Sequence, residues 1–138
     1  MELPHDAIVD MEPLLKELSA LSITAIISHP ERNAYLQKHP DAIKPWLKLK
    51  CHLQLTAGSF LGVFGPAAEK MAWHYLTEGM ASLIATDAYD LETRCPRMLE
   101  AFYTVSEHLD EATARTLCRE NPQAVLTGQE IIRLERIS

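Results

Sequence analysis

The sequence predicts an α/β fold of about three parallel strands with flanking helices, and three observations predict it. Short β-branched and apolar runs at 23–27, 52–56 and 82–86 alternate with stretches of helical periodicity, the order that produces parallel strands joined by helical crossovers. Each run stops in a cluster of polar residues, as strand ends do where the loops of an α/β sheet converge on one face. The 138 residues, 47% apolar and 23% charged, suit one domain with one hydrophobic core and contain no low-complexity tract.

Taken in order, Ile8, Met11, Leu14, Leu15, Leu18 and Leu21 recur at three and four residues and predict a helix over 8–21. Ile23 to Ile27 reads as the first strand, ended by Ser28-His29-Pro30. Pro40-Asp41 opens a second helix carrying Ile43, Trp46, Leu47 and Leu49, and His52 to Thr56 is the second strand. Gly58, Gly62 and Gly65-Pro66 punctuate a loop before a helix over 67–78, for which Gly79 supplies a C-cap. Ser82 to Thr86 is the third strand and runs into Asp87. Helices follow over 97–108 and 110–120, with a short last one near 122–126. A closed barrel takes roughly eight strands, so the chain is expected to be less than half of one, with more of it upstream.

A formal charge of -6 with scattered Lys and Arg offers no basic face for nucleic acid. No apolar run is long enough to span a bilayer and the first residues lack signal-peptide character, so a cytoplasmic location is expected. Cys51, Cys95 and Cys118 lack metal-type spacing and read as reduced structural thiols. The strand edges make a homo-oligomer an expectation.

His29 stands directly after a buried strand, where an imidazole can give one nitrogen to a divalent metal; a plain polar strand terminator is the alternative. Asp87 ends the third strand, where a carboxylate is costly to desolvate unless it meets a metal or a cation; an N-cap is the alternative. Arg32 and Arg94 each follow one of these residues. A guanidinium grips a phosphoryl group through two parallel hydrogen bonds, which suits an anionic ester, whereas solvated surface cations are the bland reading. The stretch from Thr56 to Gly62 offers backbone N–H groups but lacks the Lys-Ser/Thr ending of a P-loop. His39, His74 and His108 have no partners at ligand spacing, and Met71, Trp73 and Tyr75 belong to a packed helix face. Cys95 lies outside any Cys-x5-Arg loop, and no Ser-His-Asp arrangement is present, which disfavours covalent catalysis.

Ser28-His29-Pro30-Glu31-Arg32, the segment from Leu53 to Gly62, and Ala85-Thr86-Asp87-Ala88 together resemble the PHP-superfamily protein-tyrosine phosphatases of the CpsB and YwqE group, from about Leu3 to Gly128. That resemblance implies the C-terminal portion of a distorted (β/α) TIM-like barrel, with residues 1–138 as a single partial domain lacking the N-terminal part. It implies metal-dependent hydrolysis of phosphotyrosine in capsular and exopolysaccharide biosynthesis, by metal-activated water. Carried over residue by residue, His29 and Asp87 are metal ligands and Arg32 and Arg94 hold and polarise the phosphate. The cofactor is a divalent metal, commonly manganese, and the partner a phosphotyrosine protein such as a bacterial tyrosine kinase of polysaccharide export. Two departures accompany these expectations. The family's opening His-x-His and a further glutamate ligand have no counterpart in the region that matches, and Tyr89 stands where the family has His. A phenol of pKa near 10 is a poor ligand at neutral pH. The alternatives are therefore an inactive, regulatory phosphate-binding relative, or a phosphoesterase acting on a small phosphate ester.

Overall fold

A computed structural model describes residues 1–92 and 96–137. Its elements run α1 (Glu12–Ala20), β1 (Ala25–Ser28), a 3₁₀ turn (Pro30–Arg32), α2 (Ala34–Lys38), a 3₁₀ turn (Pro40–Ile43), α3 (Lys44–Leu47), β2 (Cys51–Thr56), a 3₁₀ helix (Ala57–Leu61), α4 (Pro66–Thr77), β3 (Ala81–Ala85), α5 (Met98–His108), α6 (Glu111–Arg115), a π turn (Thr116–Glu120) and α7 (Asn121–Thr127). The strands form one parallel sheet, as the alternation predicts, and their order in it is β1-β2-β3. The β1 register pairs Ile26 with His52 and Ser28 with Gln54. A register shift at Leu53/Gln54 leaves Ser82 as the extra residue of β3.

Helix boundaries differ from the periodic pattern where proline intervenes. The first helix starts at Glu12 rather than Ile8 because Pro13, at its opening turn, has the fixed φ that begins a helix and no N–H with which to continue one from upstream. The predicted helix from Pro40 is instead a 3₁₀ turn followed by four residues of α3, divided around Pro45. Helix α2, which the sequence reading leaves out, is only five residues long and depends on its cap: Asn33 Oδ1 accepts from Leu36 N at 2.9 Å. The strands lie within two residues of their predicted bounds.

One face of the sheet, with Ala25, Ile27, Leu53, Leu55 and Ile84, is buried against Leu15, Leu36, Ile43, Trp46, Phe60, Met71, Tyr75 and Leu76. The other face is only partly covered, and Ile26, Ser28, Gln54 and Ala85 remain half-buried. This one-sidedness is unusual for parallel strands, which are ordinarily covered on both faces. Along the β3 side, Asn121 stitches the C-terminal segment to the sheet. Its Nδ2 donates to the Ser82 and Ile132 carbonyls at 2.7 and 2.8 Å, and its Oδ1 accepts from Ile132 N at 2.8 Å.

Candidate functional site

Both predicted ligand positions sit at strand ends in strained backbone. His29, directly after β1, has φ 39°, and Asp87, two residues after β3, has φ 48°. A left-handed conformation costs a non-glycine residue on the order of 1 kcal/mol and persists where its surroundings over-determine it. Here His29 N donates to Gln54 O of the neighbouring strand at 2.8 Å, and Pro30–Arg32 turns the chain back at once.

That turn delivers Arg32 to Asp87. Arg32 Nη1 donates to Asp87 Oδ2 at 2.7 Å, with both side chains partly buried. The guanidinium carbon lies 4.0 Å from the Phe64 ring centroid, so a cation–π contact supports the arginine from its other face. Phe64 comes this close because Gly58 has no side chain: a Cβ there would stand 3.1 Å from Phe64 Cε2.

Sequence reasoning missed Glu2. The Met1 ammonium donates to Ile26 O and Ser28 N donates to Met1 O, each at 2.7 Å, so Glu2 bridges to Ser28 as a parallel continuation of the sheet. This pairing sets Glu2 Oε1 3.1 Å from His29 Nε2. Two paired residues are too short to show a strand period, so the only sequence signal is an acidic residue beside Leu3-Pro4. Asn33 fixes the next stretch, its Nδ2 donating to Pro4 O at 2.7 Å and Ala7 O at 2.9 Å. A cleft of about 90 Å³ lined by Glu2, Leu3, Pro4, His5, His29, Arg32 and Asn33 results.

The His29 imidazole and the Glu2 carboxylate beside the end of β1 fit one edge of a divalent coordination sphere, but catalytic sites ordinarily use three or more protein donors. Among the described residues no group of three or more His, Cys, Asp and Glu side chains gathers. Asp87 is turned to Arg32, and Tyr89 is 73% exposed. Arg94 and Cys95 lie outside the described residues.

The glycine-rich stretch does not form a ligand cradle. Residues 57–61 make a buried 3₁₀ helix, and the N–H groups of Gly62, Val63 and Gly65 bond to the carbonyls of Ser59, Gly58 and Gly62. Burial pushes the Cys51 and Cys118 thiols up to about 11, consistent with unreactive packing groups. A groove of about 910 Å³ lies away from these groups, lined by Thr24, Lys50, His52 and Arg133 at the opposite ends of the strands.

Parallel strands whose C-terminal ends carry an imidazole, two carboxylates and a guanidinium define the class as an α/β fold with its polar groups on the loop face. A family model described as "Capsular polysaccharide synthesis, CpsB/CapC" matches residues 3–127, and the chain belongs to that family. It is 26% identical over 134 residues to the tyrosine-protein phosphatase YwqE of Bacillus subtilis, covering 96% of this chain and 52% of that protein. It is 28% identical over 125 residues to the putative tyrosine-protein phosphatase CapC of Staphylococcus aureus, covering 91% of this chain and 46% of the relative. A crystal structure from work on YwqE and on Streptococcus pneumoniae CpsB, described as unique metal-dependent tyrosine phosphatases, superposes with a TM-score of 0.92 at 26% identity. The superposition covers 99% of this chain and 55% of that one. The chain thus spans about half the length of the curated relatives it matches.

Proposed function

We propose that this chain is the C-terminal part of a metal-dependent phosphoesterase domain that hydrolyses phosphotyrosine on proteins of capsular or exopolysaccharide biosynthesis. The single observation carrying the reading is the meeting of two pairs, Glu2 with His29 and Arg32 with Asp87, at the C-terminal ends of parallel strands. Glu2 and His29 would hold one edge of a divalent ion, with manganese as the choice the family suggests. Such an ion, when bound, acidifies water and neutralises phosphoryl charge. Arg32 binds and orients the phosphate through its fork, with Phe64 behind it and Asp87 fixing its plane. Asp87 would hold the ion through its Oδ1 while Oδ2 keeps the Arg32 contact, and Arg94 would add a second cation.

The relatives' names support a phosphotyrosine protein as substrate, and a bacterial tyrosine kinase of polysaccharide export fits that chemistry. No helix of the described residues is long and apolar enough to cross a membrane. That no third donor joins Glu2 and His29 among the described residues favours a second reading, in which the chain by itself binds phosphate without turning it over.

Metal content and phosphotyrosyl-peptide hydrolysis, each with and without added Mn²⁺, separate the two. They are measured on the chain alone and on the chain joined to the N-terminal half of a relative. Turnover in the joined protein that Arg32→Ala abolishes supports the phosphatase reading. Arg32-dependent phosphate binding with no turnover in either form supports the binding reading.

A further inference from the structure

Glu31 lies between His29 and Arg32 in the chain but faces the core. It is fully buried, and its Oε1 accepts from Thr56 N and from Ser59 Oγ, each at 2.8 Å. Thr56 ends β2 and Ser59 belongs to the 3₁₀ helix beyond it, so one carboxylate oxygen fastens the turn after β1 to the turn after β2. The Glu31 carbonyl is held as well, accepting from Gln37 Nε2 at 2.9 Å. Burial raises the carboxyl above its ordinary pKa, and Oε2 has no hydrogen bond among the described residues. As a filler of the core this is an expensive side chain, since a buried acid is costly unless its hydrogen bonds matter.

Those bonds act where the site is weakest. The Pro30–Arg32 turn is three residues long and begins at left-handed His29, and a turn that short has little rigidity of its own. The segment Glu31 grips also leads to Phe64, the ring on which Arg32 rests. Glu31 therefore bears on the guanidinium twice, through the adjoining backbone and through the wall behind it.

We infer that Glu31 is a positioning residue: by binding Thr56 and Ser59 it locks the His29–Arg32 turn to the end of β2 and so presents the Arg32 guanidinium, in register with Asp87, to a phosphoryl group. This rests on the reading of Arg32 as a phosphate ligand, so two independent readouts are needed.

The first requires no ligand. Crystal structures, and the side-chain Nε–Hε relaxation of Arg32, are compared for the wild type, Glu31→Ala, Glu31→Gln and Ser59→Ala. The 2.7 Å contact between Arg32 and Asp87 should open and the guanidinium become mobile in Glu31→Ala, with the β1–β2 register intact. Glu31→Gln, which keeps an acceptor oxygen, should restore both, and Ser59→Ala should fall between. The second readout is titration with inorganic phosphate, with Arg32→Ala as reference. Glu31→Ala should weaken binding by about tenfold, the scale of loss when a supporting partner of a ligand is removed, while Glu31→Gln stays close to wild type. A merely structural role would lower the unfolding midpoint and leave Arg32 in place, and that result overturns the inference. If Glu31→Ala does not fold, an unmoved Arg32 in Ser59→Ala overturns it instead. Absence of Arg32-dependent phosphate binding in the wild type sinks the phosphate reading alone, because the ligand-free comparison still decides Glu31.

Discussion

At the scale of single residues, the polar groups fall into those that meet at the strand ends and those that hold the sheet together. His52 belongs to the second kind. Its Nδ1 pairs with Ser82 Oγ at 2.8 Å, and desolvation, aided by the nearby Arg133 cation, lowers the imidazole pKa to about 4 from 6.5. The folded state thus favours the neutral ring. Its contribution is complete above pH 6.5 and is lost as the pH falls toward 4, by at most about 3 kcal/mol for a shift of this size. Urea midpoints measured across that window should fall with acid in the wild type and run flatter in His52→Gln; parallel profiles would contradict this. Asn33 acts differently, since its three hydrogen bonds cap α2 and tie down residues 4–7. Asn33→Ala should cost about 2–4 kcal/mol in chemical denaturation, and amide exchange in that segment should quicken as Glu2 leaves His29.

Among elements, the C-terminal segment depends on two positions outside its own sequence. Gly79, after α4, has φ 71°, and a Cβ there would stand 2.8 Å from the Glu135 carbonyl carbon and 2.9 Å from Arg136 N. The sequence reading treats this glycine as a C-cap, and the left-handed φ bears that out. The close passage of residues 134–136 adds a second demand that no local pattern shows. Gly79→Ala should therefore destabilise by more than the roughly 1 kcal/mol of the backbone conformation alone, detectable as a lowered thermal midpoint. Asn121 holds the other end of the same segment, and Asn121→Ala takes away the side-chain partner of the buried Ser82 carbonyl and of the part-buried Ile132 N–H and carbonyl. A loss of about 2–4 kcal/mol is expected, with residues 129–137 becoming protease-sensitive before the sheet does.

Considered whole, the molecule is a parallel sheet buried on one face and partly covered on the other, in a chain about half the length of its relatives. Its central strand and its edges should differ in protection. Hydrogen exchange in β1, whose outer side pairs among the described residues only with Met1 and Glu2, should be faster than in β2, which is bonded on both sides. Joining the N-terminal half of a relative should slow β1 selectively. Equal protection of β1 with and without that half would mean the edge is already closed by other means.

The sequence by itself determined the α/β alternation, the parallel strands and the placing of His29, Arg32 and Asp87 at strand ends, because hydrophobic period and strand termination are local properties. It misplaced the start of α1 and omitted α2, where a proline and a single asparagine cap outweigh periodicity. Only the tertiary structure decided that Arg32 meets Asp87 across 55 residues, that Phe64 backs the arginine, that Glu2 faces His29 and that Glu31 turns inward. Those meetings depend on strand register and on how the loops close over the sheet, and neither is written in the spacing of residues along one segment.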